Sequence, residues 1–246
     1  MSEVTLEPDE RIDVLQGVGI RIIQSPRVFA FSLDAVLLAG FAQVKRRSRV
    51  VDLAAGNGAV GLFVARQTTN QVTLIELQPR LADMAQRSVQ LNDLRNVDVH
   101  QRDLKDAAQI VPKDSVDVVT CNPPYFKVTD QSLTNPNDHL ALARHELTTN
   151  FQTVCETAAG LLKYQGKAFF VHRPERLEEL LSTMAAADLA PKRVRFIHPK
   201  ADREANMVLL EGIRSGKPAG MRILPPLVVY GQDGQYGEEV QHLLYG

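Results

Sequence analysis

Between Val50 and Leu62 a short β-branched run, Val50-Val-Asp-Leu53, passes through Ala54-Ala-Gly-Asn-Gly58 and enters a helical pattern that continues to about Gln67. Gly56, Gly58 and Gly61 spell G-x-G-x-x-G after a strand and before a helix, a spacing that supplies a tight turn, a close backbone approach and close helix–strand packing. Few folds use such a unit. It belongs to an open α/β sheet, whose ligands bind at the carboxyl ends of the strands. The chain repeats the alternation, with strands at Val72–Glu76, Val97–Gln101 and from Val116, and a helix over Pro79–Leu91 that opens on its proline. A helix from about Thr149 to Lys163, a strand at Lys167–His172 and a helix at Glu175–Ala187 follow. Two further β-rich runs, Val194–His198 and Met207–Ile213, read as a terminal hairpin. The fold class is α/β, Rossmann-like and doubly wound around a mostly parallel sheet.

The residues that end these strands define the chemistry. Asp52, Glu76 and Asp103 close the first three, and Asn122 closes the fourth. Glu76 lies 20 residues beyond Gly56, where an acidic side chain accepts both ribose hydroxyls of a dinucleotide. Asp52 argues against that ligand, because a pyrophosphate beside it would be repelled. An ammonium-bearing ligand such as S-adenosylmethionine suits an acid there. The expected cofactor contacts are Asp52, Ala54, Gly56, Asn57 and Gly58 around the methionine portion, Glu76 on the ribose, Asp103 on the adenine amino group, and Leu77 and Leu104 on either face of the ring. No metal is expected: Cys121 and Cys155 offer no ligand spacing and read as core.

In Val116-Asp-Val-Val-Thr-Cys-Asn-Pro-Pro-Tyr125 the prolines end the ladder and deliver Asn122 to the carboxyl edge. The Asn122 side-chain oxygen and the Pro123 carbonyl form an acceptor pair for both hydrogens of a planar NH2 group. That draws the nitrogen toward a tetrahedral shape and aims its lone pair at an incoming methyl. Tyr125 supplies a flat face for a flipped base, worth roughly 1–3 kcal/mol. A turn after a strand is the plainer reading of four such residues alone; the acidic strand ends decide between them.

The remaining segments decorate this unit. Arg11–Leu15 and Ile20–Gln24 flank Gly17 and Gly19 as a hairpin, and Ser32 caps a helix over about Leu33–Gln43. That helix is either a lid, with Phe31, Ser32 and Asp34 nearest the cofactor, or simple packing. Residues 1–44 are read as this extension and 45–246 as the catalytic domain, one compact unit overall. The polar stretch Lys127–Asn137 reads as a substrate loop, and His145 as a positioning residue, since an amine attacking a sulfonium needs no strong base. A net charge of −1 from 28 basic and 29 acidic residues excludes a broadly basic nucleic-acid binder but permits a local patch. Lys45, Arg46, Arg47 and Arg49 form one cluster, read as a solvated connector. Lys192, Arg193, Arg195, His198, Lys200 and Arg203 form another, with Arg214, Lys217 and Arg222 downstream, and this second group reads as a phosphate-contacting face. No stretch reaches the ~18 apolar residues of a membrane span and no signal pattern opens the chain, so a cytoplasmic protein is expected.

Asp52-Leu-Ala-Ala-Gly-Asn-Gly58 together with Asn122-Pro-Pro-Tyr125 resembles the class I S-adenosylmethionine-dependent amino-methyltransferases. Phe31-Ser-Leu-Asp-Ala-Val-Leu-Leu38, Ala143-Arg-His-Glu146, Pro199 to Leu210 and Pro225 to Tyr230 narrow the resemblance to the bacterial YfiC-type family, the valine-tRNA adenine-N6 methyltransferases. The resemblance implies a seven-stranded sheet with its last strand antiparallel, methylation of the adenine beside the anticodon, and a tRNA partner. A protein-glutamine methyltransferase of the release-factor type is the alternative. A DNA adenine methyltransferase, a nicotinamide oxidoreductase and a non-catalytic RNA-binding protein rank lower.

Overall fold

The computed structural model describes residues 4–28, 33–123 and 151–246. Phe31, Ser32, Tyr125, the Lys127–Asn137 stretch and His145 lie outside them. The chain begins with an antiparallel hairpin, β1 (Arg11–Leu15) and β2 (Ile20–Gln24), joined by a 3-10 turn that Gly19 closes with φ +63°. Helix α1 (Leu33–Phe41) follows, two residues shorter than expected. The strand–helix alternation then runs β3 (Val50–Leu53), α2 (Ala59–Ala65), β4 (Val72–Glu76), α3 (Pro79–Leu91), β5 (Val97–Gln101) and β6 (Val116–Cys121). After α4 (Phe151–Leu161) come β7 (Leu162–His172), α5 (Leu177–Ala186), β8 (Leu189–His198) and β9 (Met207–Arg214). The tail adds β10 (Arg222–Ile223), β11 (Leu227–Val228) and α6 (Glu238–Tyr245).

These strands form one sheet in the order β10-β8-β9-β7-β6-β3-β4-β5, with β11 also on β8. Its seven long members are the expected core, and β9, the last of them, is antiparallel to both neighbours. The nine-stranded total exceeds the expectation because β10 and β11 lie parallel along the outer edge of β8. Two-residue strands carry no periodicity to read; the β8 edge makes them strands. Strand β7 also starts earlier than expected, at Leu162, where the sequence reads as the last turn of α4. Gln165 at φ +62° precedes Gly166, so the segment bends back into the ladder instead of continuing the helix.

Alternation along the strands sorts the core into two layers. Val50, Val72, Leu74, Val118, Phe169 and Leu209 face α1 and α2, whereas Val51, Leu53, Ile75, Val119, Phe170 and Leu210 face α4 and α5. Helix α3 holds the hairpin through polar contacts: Arg87 grips Glu10 at 2.6 and 2.7 Å, Ser88 accepts the Ile23 amide at 3.0 Å, and Asn92 bonds both backbone groups of Arg21 at 2.8 and 2.6 Å. At the other end of the chain, α6 lies on the hairpin turn. A methyl group at Gly17 would fall 2.8 Å from the Leu243 carbonyl oxygen, so only glycine admits this contact.

Candidate active site

Strands β3 and β6 are hydrogen-bonded neighbours with Leu53 level with Cys121. The glycine loop and Asn122 therefore leave the sheet from the same rung, at the same edge. Ala54, Gly56 and Gly58 all take the left-handed conformation, at φ +51°, +58° and +91°. Apart from its two chain neighbours, none of the described residues comes within 4 Å of where a Gly56 Cβ would stand, so among them this turn keeps an open backbone face. Gly61 is required for the opposite reason: its Cβ would come within 2.7 Å of Leu74, so α2 rests directly on β4.

Two buried carboxylates organise that loop. Asp52, 1% exposed, accepts the Gly61 amide at 3.0 Å and the Thr120 hydroxyl at 2.7 Å. Thr120 is its partner on β6, so the bond crosses the two strands that carry the site. Burial pushes the Asp52 carboxyl up to about 7, against the opposing pull of these two bonds. Both oxygens are engaged beneath the loop. Glu76 accepts the Gly56 amide at 2.6 Å on one oxygen and the Gln78 amide at 2.9 Å on the other. Burial raises its pKa as well. The Leu77 amide is a third donor to this carboxylate, and the acceptor capacity left over suits a sugar hydroxyl without loss of the loop contacts.

The other expected cofactor residues divide. Leu77, directly after Glu76, is 42% exposed, an apolar surface beside the open loop, while Leu104 is buried at 6%. Asp103 caps the turn Leu104–Gln109 by accepting the Lys105 amide at 2.9 Å. Asn57 is turned away from the crevice: its side chain is buried and donates to the Ile23 carbonyl at 3.0 Å, locking the glycine loop to β2. Its side chain is a structural tie, a role that spacing alone does not reveal. Asp34 is buried in the first turn of α1 and accepts the Ala35 amide at 2.9 Å. Asn122 is half-buried and Pro123 buried. The open Gly56 backbone, the spare acceptor capacity of Glu76 and the exposed Leu77 together fit an adenosine-bearing ligand with an amino-acid end.

One residue at this edge escaped the sequence reading. His172 ends β7, next to β6, and is 1% exposed. Its Nδ1 accepts the Arg173 amide at 2.7 Å and its ring meets Phe151 edge-on at 5.8 Å. Burial, with Arg176 nearby, holds its pKa down to about 4, so the ring is neutral. Its place at the end of a strand beside Asn122 was the available signal.

Of the two basic clusters, only the second departs from expectation. Lys45, Arg46, Arg47 and Arg49 precede β3 and so stand at the amino edge, opposite Asn122. In the second cluster, Arg193 pairs with buried Glu211 and lies 4.5 Å over the Phe41 ring. Arg195 makes a two-pronged pair with Glu239 at 2.5 and 2.7 Å, and Lys192 donates to the carbonyls of Lys217 and Ala219. Lys192 and Arg195 hold the tail onto β8 and Arg193 ties β8 to β9 and α1, which corrects their reading as a phosphate-contacting face. Lys200 and Arg203 are exposed at the carboxyl edge, alternating with exposed Asp202 and Glu204.

Fold and crevice define a class I S-adenosylmethionine-dependent methyltransferase: the parallel order around β3, the antiparallel β9, and an acid-backed glycine loop beside Asn122. The chain belongs to the methyltransferase small domain family, whose model matches residues 19–185. It is 27% identical over 181 residues to the tRNA1(Val) (adenine(37)-N6)-methyltransferase of Parabacteroides distasonis, covering 72% of this chain and 74% of that one. The enzyme of that name from Haemophilus influenzae strain PittEE is 26% identical over 220 residues, covering 88% and 90%. A crystal structure from Agrobacterium tumefaciens, described as a predicted O-methyltransferase, superposes with a TM-score of 0.67 at 24% identity over 85% of this chain and 94% of that one. A SAM dependent methyltransferase of Aquifex aeolicus superposes at 0.52 with 15% identity over 73% and 88%. No helix among the described residues is long and apolar enough to cross a membrane, and none of their His, Cys, Asp and Glu side chains group to hold a metal ion.

Proposed function

We propose that this methyltransferase acts on the exocyclic N6 amino group of an adenine in tRNA, with the adenine beside the anticodon of a valine tRNA as its target. The observation that carries the reading is the shared rung: the open glycine loop and Asn122 rise side by side, so a methyl donor seated on one faces an amine held at the other. S-adenosylmethionine supplies an electrophilic methyl group on a sulfonium. The Asn122 amide oxygen and the Pro123 carbonyl accept the two N–H hydrogens, freeing the nitrogen lone pair for in-line attack, and Tyr125 stacks on the base. The N–C bond forms as the S–C bond breaks, the sulfur keeps the electron pair, and the proton leaves the nitrogen afterwards. The buried Asp52 charge attracts the ammonium end of the donor, Glu76 accepts the ribose hydroxyls, and Asp103 with Leu77 meets the adenine. The names of the curated relatives support tRNA as the substrate class, and Lys200 and Arg203 are the cations of the second cluster left to meet it.

The test is transfer of labelled methyl to unmodified tRNA followed by nucleoside analysis. N6-methyladenosine should form, and Asn122→Ala should lose at least ~100-fold in turnover while S-adenosylhomocysteine still binds within about threefold of the wild-type affinity. Label in protein glutamine instead of tRNA would replace the reading by its release-factor-type rival.

A further inference from the structure

The glycine loop is held by two strands that lie on either side of it. From the sheet, β4 takes two of its amides: Ala55 donates to the Ile75 carbonyl at 3.1 Å and Gly56 to the Glu76 carboxylate at 2.6 Å. From the N-terminal hairpin, the Ile23 carbonyl of β2 accepts the Asn57 side-chain amide at 3.0 Å. Ile23 is fully buried, and its own amide donates to the Ser88 hydroxyl of α3 at 3.0 Å. Ser88 in turn donates to the Met84 carbonyl at 2.8 Å, so the donors and acceptors along this line match in direction.

These contacts close a circuit. It runs from Asn57 through Ile23 to Ser88, back along α3 to Gln78, through the Gln78 amide to Glu76, and from Glu76 to Gly56, which adjoins Asn57. Each link is a hydrogen bond, a peptide bond or a run of helix. The segment it encloses needs such restraint. Ala54, Gly56 and Gly58 all sit at positive φ, and the Cβ of Ala54 disfavours that region. A glycine-rich turn released on one side has other conformations open to it, and these are given up when a ligand docks on its backbone. A turn fixed beforehand gives up fewer. The direction of the Asn57 amide is set as well, because a carbonyl only accepts and so takes the NH2 end.

We propose that Asn57 is a positioning residue for the methyl donor, and that the β1–β2 hairpin, through the Ile23 carbonyl, keeps the glycine loop in the shape that S-adenosylmethionine meets. This rests on the glycine loop as the donor site and is independent of the acceptor. The Asn57 side chain acts through the loop backbone, since its NH2 is spent on β2.

Asn57→Ala is compared with Arg193→Ala, which loses its pair with Glu211 on the far strand β8, by calorimetric titration with S-adenosylhomocysteine well below both thermal midpoints. Binding should weaken about tenfold or more in Asn57→Ala and stay within about twofold of wild type in Arg193→Ala. Single-turnover methyl transfer at saturating donor should remain within about threefold of wild type in Asn57→Ala, because the Asn122 turn is untouched. Equal weakening in both variants would show affinity following stability alone and overturn the proposal, as would wild-type affinity in Asn57→Ala. Hydrogen exchange needs no variant: in the ligand-free wild type the Gly56 amide should exchange within about tenfold of the rate at Ile23, and free exchange at Gly56 beside a protected Ile23 would also overturn it. A Gly56 amide whose exchange S-adenosylhomocysteine leaves unchanged would remove the donor site and this proposal together, whereas wild-type affinity in Asn57→Ala removes the proposal alone.

Discussion

At the scale of single residues, the site depends on carboxylates that are costly to bury. Asp52 has both oxygens satisfied, yet its pKa is raised to about 7 from 3.8. The folded protein therefore holds that proton more tightly than the unfolded chain does. The stability associated with it is complete below pH 3.8, declines as pH rises, and is gone above about 7. The decline amounts to roughly 4 kcal/mol. Asp52→Asn can still accept from Gly61 and can donate to the Thr120 hydroxyl, so denaturant titrations above pH 7 should find it more stable than wild type, with the pH 4–7 slope flattened. Calorimetry should find its affinity for S-adenosylmethionine about tenfold or more lower, because the charge facing the ammonium is gone. A variant equal to wild type in both respects would mean that Asp52 is neutral in the working enzyme. The acidic strand ends were legible because each stands at a position the strand pattern marks. The side-chain task of Asn57 was not, since its partner Ile23 lies 34 residues away in sequence.

At the scale of elements, the contrast between α2 and the terminal hairpin shows what local pattern reveals. Gly61 appears in the sequence because close packing of a helix on its own following strand has a fixed spacing. The cations of β8 were read as a phosphate-contacting face because charge on a strand reads as surface until the opposing element is known. Arg193 sits between Glu211 and the Phe41 ring, and so joins β8 and β9 to α1, while Lys167 also pairs with Glu211 at 3.0 Å. Arg193→Ala should lower unfolding stability by about 2–3 kcal/mol, less than the loss of an isolated buried pair because Lys167 remains. The KM for tRNA should stay within about twofold of wild type, since no RNA contact is lost. An unchanged unfolding midpoint with a raised KM would return Arg193 to the substrate face. The short strands β10 and β11 and helix α6 had no readable signature, for their conformation comes from pairing along β8 and from docking on the hairpin turn.

At the scale of the whole molecule, α1, α2 and α3 cover one face of the sheet and α4 and α5 the other, as right-handed crossovers dictate for a doubly wound sheet, the class that strand–helix alternation foretold. What sequence could not supply was closure. The tail follows β8, is held there by Lys192 and Arg195, and brings α6 back to the turn between the first two strands, where a Cβ added at Gly246 would stand 3.7 Å from the Gly17 Cα. In space the polypeptide is thus a ring, although covalently it is a line. The position of the break can then be changed: a circular permutant that joins residue 246 to the segment before β1 through a short linker, and opens the exposed turn at Thr69–Asn70, should fold and bind S-adenosylhomocysteine with near wild-type affinity. That turn lies at the amino edge of the sheet, away from the crevice. A permutant that fails to fold would show that the order of synthesis, and not only the final contacts, is needed to seat α6.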